Sequence, residues 1–290
     1  MQRVVQATSS LKLPGFKEER DISVQTTRLV IGLAYDGASF CGFAKQKDEG
    51  VRTVQECLEA ALATVLSLPQ VATVCAGRTD TGVHALDQYV SCDVPTASLQ
   101  GKTSYTLVKS LNALTADDIS VHLVAKATDP DFSARFSVDW REYRYRIVCG
   151  SVPPLFMRPY AWWVKTPLDV DAMRRGAQYL VGEHDFKSFC KAESAIDKNT
   201  VREVKAVELF EEEQMGERCL VVRVVGNAFL HSMIRTIVGT LVEVGCGRRE
   251  PQWIAQVLDA CDRRAAGKNA PACGLVFHKV TYPQGSWEEF

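Results

Sequence analysis

The stretch AGRTDTGVHALDQYV, from Ala76 to Val90, joins two segments that read as β-strands. Its first half sets Arg78 and Asp80 between two glycines, and its second half returns to apolar and polar alternation. Glycine, aspartate and threonine favour turns for local backbone reasons. The stretch therefore predicts a tight loop between strands that carries two charged side chains, and the rest of the chain decides whether the loop is more than a turn.

The bulk properties describe an ordinary folded protein. The chain has 290 residues, of which 46% are hydrophobic and 24% are charged. That length allows one large domain or two of ordinary size, and that composition excludes disordered, collagen-like and coiled-coil proteins. The formal net charge of -1 is compatible with binding a polyanion through one basic face.

The ten cysteines point to a reducing compartment rather than to disulfides or a metal. None of them forms a C-x-x-C pair, and the five histidines form no H-E-x-x-H motif. The chain also has no apolar run near the ~20 residues of a membrane helix, and no long apolar stretch at its N-terminus. We therefore expect a cytoplasmic protein with no metal site and no membrane partner.

The order of the predicted elements indicates the fold class. Residues 27–130 read as strand, helix, strand, strand, helix and strand, which is the split βαβ pattern of ferredoxin-like and RRM-like domains. Residues 131–290 repeat the pattern loosely, and residues 1–26 read as a polar N-terminal extension. The sequence predicts an α/β (α+β) protein in which two such halves join into an extended, mostly antiparallel sheet with a central cleft. The N-terminal half carries the loop with Asp80, and the C-terminal half completes the cleft.

Two helices have clear boundaries in the sequence. From Thr53 to Pro69, an apolar stripe follows a predicted capping box of Thr53 and Glu56, and the proline ends the helix. From Asn227 to Gly245, apolar residues recur at helical spacing. Asn227 is a suitable N-cap residue for this second helix.

Asp80 is the leading candidate for a catalytic group. A carboxylate serves as a nucleophile or as an acid–base group, and a short loop between buried strands would mount it rigidly. Arg78 could keep the carboxylate ionised, or hold a phosphate or a base. Gly77 and Gly82 would let the backbone lie close to a bulky substrate.

The segment from Arg135 to Ile147 is a candidate RNA surface. It carries four arginines against two acids, and it predicts a strand with Tyr143 on one face and Arg144 and Arg146 on the other. Aromatic rings stack on bases and guanidinium groups hold phosphates, so we expect the arginines at 135, 144 and 146 to bind RNA. The alternative is a strand whose tyrosines pack into the core.

Three residues of the C-terminal part are further candidates. Arg235 lies among the apolar residues of a predicted helix, so it either reaches water or needs an acidic partner, for which Asp80 is suited. His231 lies one turn earlier on the same face, and we expect it to be structural because no metal-binding spacing surrounds it. Leu275 opens the last predicted strand and is either a core residue or the wall of an apolar base pocket.

These segments together resemble the bacterial tRNA pseudouridine synthase TruA family. The resemblance runs from Tyr35 to Pro283 and keeps the family's order of motifs. The motifs are YDGASFCGF, TVQECLEAAL, GRTDTGVHA, LNALTADDISV, FSARFS, YRYRI, LVGEHDFKSF, NAFLHSMIRTIVGTLVEVG and a Gly-Leu near the end. The GRTDTGVHA segment is the most specific of them.

The resemblance implies an isomerase that converts uridine to pseudouridine at positions 38, 39 and 40 in the anticodon stem-loop of tRNA. It implies Asp80 as the catalytic nucleophile, Arg235 as its ion-pair partner and Tyr143 against the target base. It further implies Arg78 beside the flipped nucleotide and Leu275 as a pocket wall. The family uses no metal and no organic cofactor, and its bacterial members resemble obligate homodimers with one tRNA contacting both subunits.

Three departures from the family pattern concern tRNA preference more than activity. The family's usual residues are Gly-Trp-Gln, alanine and histidine, and this chain has instead Gly42-Phe43-Ala44, Thr81 and Ser232. The resemblance implies that all three departures touch RNA contacts or packing rather than the implied aspartate, tyrosine and arginine.

The sequence leaves three other functions open. A related synthase could act on other RNA uridines, since target choice depends on the shape of the surface. A non-catalytic RNA-binding module would make Asp80 dispensable. A nucleoside hydrolase would favour a cluster of aspartates around Asp80, and the loop has no such cluster.

Overall fold

A computed structural model describes residues 25–46, 50–196 and 198–290. Residues 1–24, most of the predicted polar extension, lie outside the described residues. The strands are β1 (Thr26–Tyr35), β2 (Val74–Cys75), β3 (His84–Pro95), β4 (Ile119–Ala127), β5 (Trp140–Cys149), β6 (Trp162–Val164), β7 (Gly182–Asp185), β8 (Val201–Gln214), β9 (Glu217–Gly226), β10 (Leu275–Thr281) and β11 (Trp287–Glu288). The α-helices are α1 (Val54–Leu66), α2 (Ser104–Leu114), α3 (Val170–Gln178), α4 (Met233–Gly245) and α5 (Trp253–Ala260).

All of these strands belong to one sheet. Its order is β11-β4-β1-β3-β10-β5-β9-β8-β7, with β2 attached to β3 and β6 attached to β5. The pairs β3–β10 and β5–β6 are parallel, and the other pairs are antiparallel. The predicted fold class, a mixed α/β protein with an extended and mostly antiparallel sheet, is therefore confirmed.

One apolar cluster holds the helices against the sheet. Strand β1 is buried on both faces: Leu29, Ile31 and Leu33 belong to this cluster, and Val30 packs on the other face with Phe132 and Ala134. The same cluster includes Tyr143 of β5 and Ile237 of α4, so it extends across both parts of the chain. Burial of this apolar surface is the main contribution to stability.

The start of α1 is close to the prediction. Thr53 Oγ1 accepts a hydrogen bond of 3.3 Å from the backbone N–H of Glu56. Only this half of the predicted capping box forms, because the Glu56 side chain makes no return bond to Thr53. Residue Ser67 ends the helix in the left-handed conformation, two residues before the predicted stop at Pro69.

The prediction of Asn227 as the N-cap of the next long helix is wrong. Helix α4 begins at Met233, because Ser232 has a left-handed backbone (φ 60°, ψ 11°) that a continuous helix does not allow. The side-chain oxygen of Asn227 instead accepts a hydrogen bond from the backbone N–H of Glu203. Among the described residues, no helix is long and apolar enough to cross a bilayer.

Candidate functional site

The loop from Gly77 to Val83 lies between β2 and β3 and is held by the turn after β1. The backbone N–H of Phe43 donates to the carbonyl of Thr79 at 3.1 Å, and that of Gly82 donates to the carbonyl of Phe40 at 3.4 Å. A Cβ atom at Gly37 would lie 2.0 Å from the carbonyl oxygen of Val83, so only glycine permits this approach. The two loops therefore support each other backbone to backbone, as a precise mount for a reactive side chain requires.

The carboxylate of Asp80 receives two donors from the start of α4. Arg235 Nη1 lies 3.0 Å from Oδ2, and the Ser232 hydroxyl donates to the same oxygen at 2.8 Å. His231 Nε2 lies 3.4 Å from the other oxygen, Oδ1. The side chains of Asp80 and Arg235 are each 19% exposed, so their ion pair is only partly screened by water.

Arg235 is itself fixed by the segment that precedes β10. Its Nε donates to the carbonyl of Ala270 at 2.8 Å, and the backbone N–H of Ala270 donates back to the Arg235 carbonyl at 2.9 Å. Gly239 lets this segment pack on α4, because a Cβ there would lie 1.7 Å from the carbonyl oxygen of Lys268. The guanidinium is thus held at one edge by the backbone and reaches Asp80 with the other.

Tyr143 lies in the first half of β5. Its ring centroid is 4.8 Å from that of Phe277 and 5.2 Å from that of Phe229, within the range of favourable aromatic pairs. A Cβ added to Gly77 would lie 3.3 Å from the Tyr143 hydroxyl, which places the phenol next to the loop. Burial raises the pKa of Tyr143, so the phenol is neutral at any physiological pH.

Arg141, two residues before Tyr143, ties three segments together and was not predicted. Its Nε donates to the carbonyl of Ala76 at 2.9 Å and its Nη2 to that of Arg135 at 2.7 Å, while its Nη1 donates to the carbonyl of Asn227. The signal was present in the sequence, because the alternation that buries Tyr143 buries Arg141 on the same face.

The predicted arginines fall into two groups. Arg78 and Arg135 are exposed, and within the described part of the chain their guanidinium groups form no ion pair. Arg135 lies 5.2 Å from the ring of Phe136, which is 79% exposed. Both arginines are near the loop, since Arg78 belongs to it and the Arg135 backbone meets Arg141.

Arg144 and Arg146 are not brought to Asp80. Alternation along β5 puts them on the opposite face from Tyr143, where Arg144 pairs with Glu142 at 2.9 Å and Arg146 pairs with Glu212 at 2.6 Å. Arg144 and Arg146 thus lie away from Asp80, and their predicted role in RNA binding stays a prediction, which these two ion pairs disfavour.

Leu275 is the first residue of β10, directly opposite Tyr145 of β5. It is buried and belongs to the main apolar cluster, two residues before Phe277 in the same strand. In the described ranges, no group of three or more His, Cys, Asp or Glu side chains is placed to hold a metal ion.

Comparison with known proteins shows to which family the chain belongs. The family profile described as tRNA pseudouridine synthase matches residues 33–137 and 177–283. The tRNA pseudouridine synthase A of Brevibacillus brevis is 44% identical over 255 residues, which is 88% of this chain and 99% of the relative. That of Alcanivorax borkumensis is 40% identical over 89% of this chain and 92% of its own. The chain thus belongs to the tRNA pseudouridine synthase family, the isomerases that convert uridine of tRNA to pseudouridine.

Proposed function

We propose that this chain isomerises uridines 38, 39 and 40 of the tRNA anticodon stem-loop, with Asp80 as the catalytic carboxylate. The observation that supports this most is the position of Asp80, which Arg235 and Ser232 hold at Oδ2 while the loop backbone is fixed by the turn after β1. A carboxylate kept in one orientation by two donors is prepared for reaction at its other oxygen.

The reaction needs no outside reagent. The bond between C1′ and N1 breaks, the uracil turns, a bond between C1′ and C5 forms, C5 loses its hydrogen and N1 gains a proton. The base must first leave the stem, which costs a few kcal/mol. Arg78, exposed on the loop, is suited to fill the space that the flipped nucleotide leaves or to hold its phosphate.

The proposal gives the neighbouring residues distinct roles. Tyr143 and Leu275 form the apolar wall against which the free uracil turns, and burial keeps the Tyr143 phenol neutral there. Arg235 compensates the charge of Asp80. Arg78 and Arg135 contact the RNA backbone, and we leave Arg144 and Arg146 out of this set because each is paired with a glutamate.

We extend the proposal to the state of the protein in the cell. The family resemblance supports a cytoplasmic homodimer that shares one tRNA, with residues 27–130 as the catalytic half and 131–290 as the half that completes the cleft. Light scattering on the protein alone and with tRNA tests this extension. A single mass of 32.1 kDa at all concentrations would refute the dimer.

Release of tritium from tRNA labelled at uridine C5 tests the catalytic proposal. C5 loses its hydrogen only when the new carbon–carbon bond has formed, so release reports the isomerisation itself. Wild type is compared with Asp80→Asn and with a control, Asp117→Asn, at an exposed carboxylate. Binding of tRNA is measured for each protein.

We expect release by wild type and by the control, and none by Asp80→Asn although it still binds tRNA. Mapping of the product should place pseudouridine at positions 38, 39 and 40. Release from other uridines would identify a related synthase with different targets. No release by wild type with intact tRNA binding would identify a binding module and refute the proposal.

A further inference from the structure

We infer that Ser232 is a positioning residue whose hydroxyl, together with Arg235, turns Asp80 so that Oδ1 faces the nucleotide. The inference rests on the proposed catalytic role of Asp80 and adds which oxygen reacts and which second side chain controls it. Three observations carry it: the unequal partners of the two carboxylate oxygens, the use of the Ser232 hydroxyl, and the backbone conformation of Ser232.

The two oxygens of Asp80 have different surroundings. Oδ2 lies 2.8 Å from the Ser232 hydroxyl and 3.0 Å from Arg235 Nη1. Over residues 25–46, 50–196 and 198–290, Oδ1 accepts no hydrogen bond, and its ion-pair contact is His231 Nε2 at 3.4 Å. Two donors on one oxygen fix the plane of the carboxylate, and they leave the lone pairs of the other oxygen for the substrate.

The Ser232 hydroxyl is not used in the way that its position would predict. A serine just before a helix normally accepts a hydrogen bond from a backbone N–H of the first turn. Ser232 makes no such side-chain cap for α4, although its carbonyl accepts from the backbone N–H of Thr236 at 3.0 Å. The hydroxyl therefore donates to Asp80, and the N-terminus of α4 receives no side-chain cap from Ser232.

The backbone of Ser232 is also unfavourable for a serine. Its φ of 60° lies in the left-handed region, which glycine adopts freely and asparagine tolerates, whereas other residues with a Cβ rarely do. A backbone strained in this way persists only where the surrounding structure holds it in place. Here the left-handed turn directs the hydroxyl toward Asp80.

These observations predict that rate and stability respond oppositely at this position. Ser232→Gly removes the hydroxyl and relieves the backbone strain, so we expect a Tm equal to or above wild type and a kcat about ten-fold lower. Ser232→Ala removes the hydroxyl and keeps the strain, so both Tm and kcat should fall. Ser232→Asn keeps a donor and tolerates the backbone, so it should recover part of the rate. KM for tRNA should change less than two-fold throughout, since Ser232 acts on Asp80 and not on the RNA.

The experiment measures kcat and KM by tritium release, and Tm by thermal unfolding, for wild type and the three variants, with Asp80→Asn in parallel. A kcat for Ser232→Gly within two-fold of wild type, while Asp80→Asn is inactive, would overturn this inference and leave the proposed function standing. A kcat that follows Tm across the three variants would also overturn it, because that is the signature of a structural role. An active Asp80→Asn would overturn the proposed function itself.

Discussion

Arg141 Nε donates a 2.9 Å hydrogen bond to the carbonyl oxygen of Ala76, the residue immediately before the loop that carries Asp80. The same guanidinium also bonds the carbonyls of Arg135 and Asn227, and burial lowers the pKa of Arg141. Among the described residues it forms no ion pair with a carboxylate. The buried guanidinium of Arg141 thus joins three segments through their carbonyls: the residue before the Asp80 loop, the connection between β4 and β5, and the segment between β9 and α4.

Arg141→Lys should therefore loosen all three segments. A lysine ammonium cannot match the fork that satisfies three carbonyls at once, so we expect the free energy of unfolding to fall by about 2–4 kcal/mol. We also expect kcat to fall at least ten-fold. Urea unfolding and tritium release measure the two effects. Arg144→Lys is the matched control on the other face of β5, and its cost should be below about 1 kcal/mol. Equal costs at the two positions would contradict the prediction.

Arg235→Lys should reduce the rate more than the stability. Arg235 bonds Ala270 through Nε and Asp80 through Nη1, and the single ammonium of lysine cannot serve both. We expect kcat to fall by about 10² and tRNA affinity to stay within two-fold, as fluorescence titration would show. Arg248→Lys, at an exposed pair with Glu243, is the control and should leave kcat unchanged. Full activity of Arg235→Lys would mean that charge alone suffices.

Tyr143→Phe should slow the reaction and leave the fold intact. The Tyr143 hydroxyl makes no hydrogen bond among the described residues and lies beside the loop at Gly77, so it is available to a substrate in the cleft. We expect an unchanged Tm, because the ring contacts with Phe229 and Phe277 remain, and a kcat at least ten-fold lower with tRNA binding unchanged.

Tyr143→Leu is the companion variant, since it removes the ring as well. Its free energy of unfolding should fall by about 2–3 kcal/mol. A wild-type kcat for Tyr143→Phe would show that the hydroxyl does not meet the substrate.

Acid should destabilise the protein through His84. Burial lowers the pKa of His84, whose Nδ1 accepts from the backbone N–H of Gly37 at 3.1 Å, and the Asp36 carboxylate, 3.0 Å from Nδ1, offsets only part of this effect. The unfolded chain binds a proton near pH 6.5 and the folded chain does so only at lower pH. This contribution to stability is therefore complete above pH 6.5, and it is lost as pH falls from there through the folded pKa, with a slope of at most about 1.4 kcal/mol per pH unit.

His84→Asn should flatten this part of the pH dependence, because the amide does not titrate. Urea unfolding at a series of pH values between 5 and 8 measures the slope. Burial also lowers the pKa of His278, so some slope should remain in the variant. His122→Asn, at a partly exposed position, is the control. An identical slope in His84→Asn and wild type would refute the role of His84.

Features that depend on neighbouring residues could be predicted from the sequence. The loop around Asp80, the strand alternation at Tyr143 and the apolar stripe that carries Arg235 all follow from spacing within about a dozen residues. The start of α4 could not be predicted in this way. Apolar residues continue at helical spacing before Ser232, and this spacing does not show that Ser232 has a left-handed backbone. The pairing of Arg146 with Glu212 was also hidden, since the two residues are far apart in the sequence and meet only when β5, β9 and β8 assemble.

Strand β10 has a consequence for how the protein is made. It pairs Val276 with His84 on one side and Phe277 with Tyr143 on the other, so the middle of the sheet closes with a strand from near the end of the chain. During synthesis, Asp80 leaves the ribosome long before Arg235 and β10 do. Pairings this distant in sequence form slowly, and until then β3 and β5 both have open edges that attract other chains. A chain that stops short of β10 should therefore be a target for chaperones and proteases rather than a partly active enzyme.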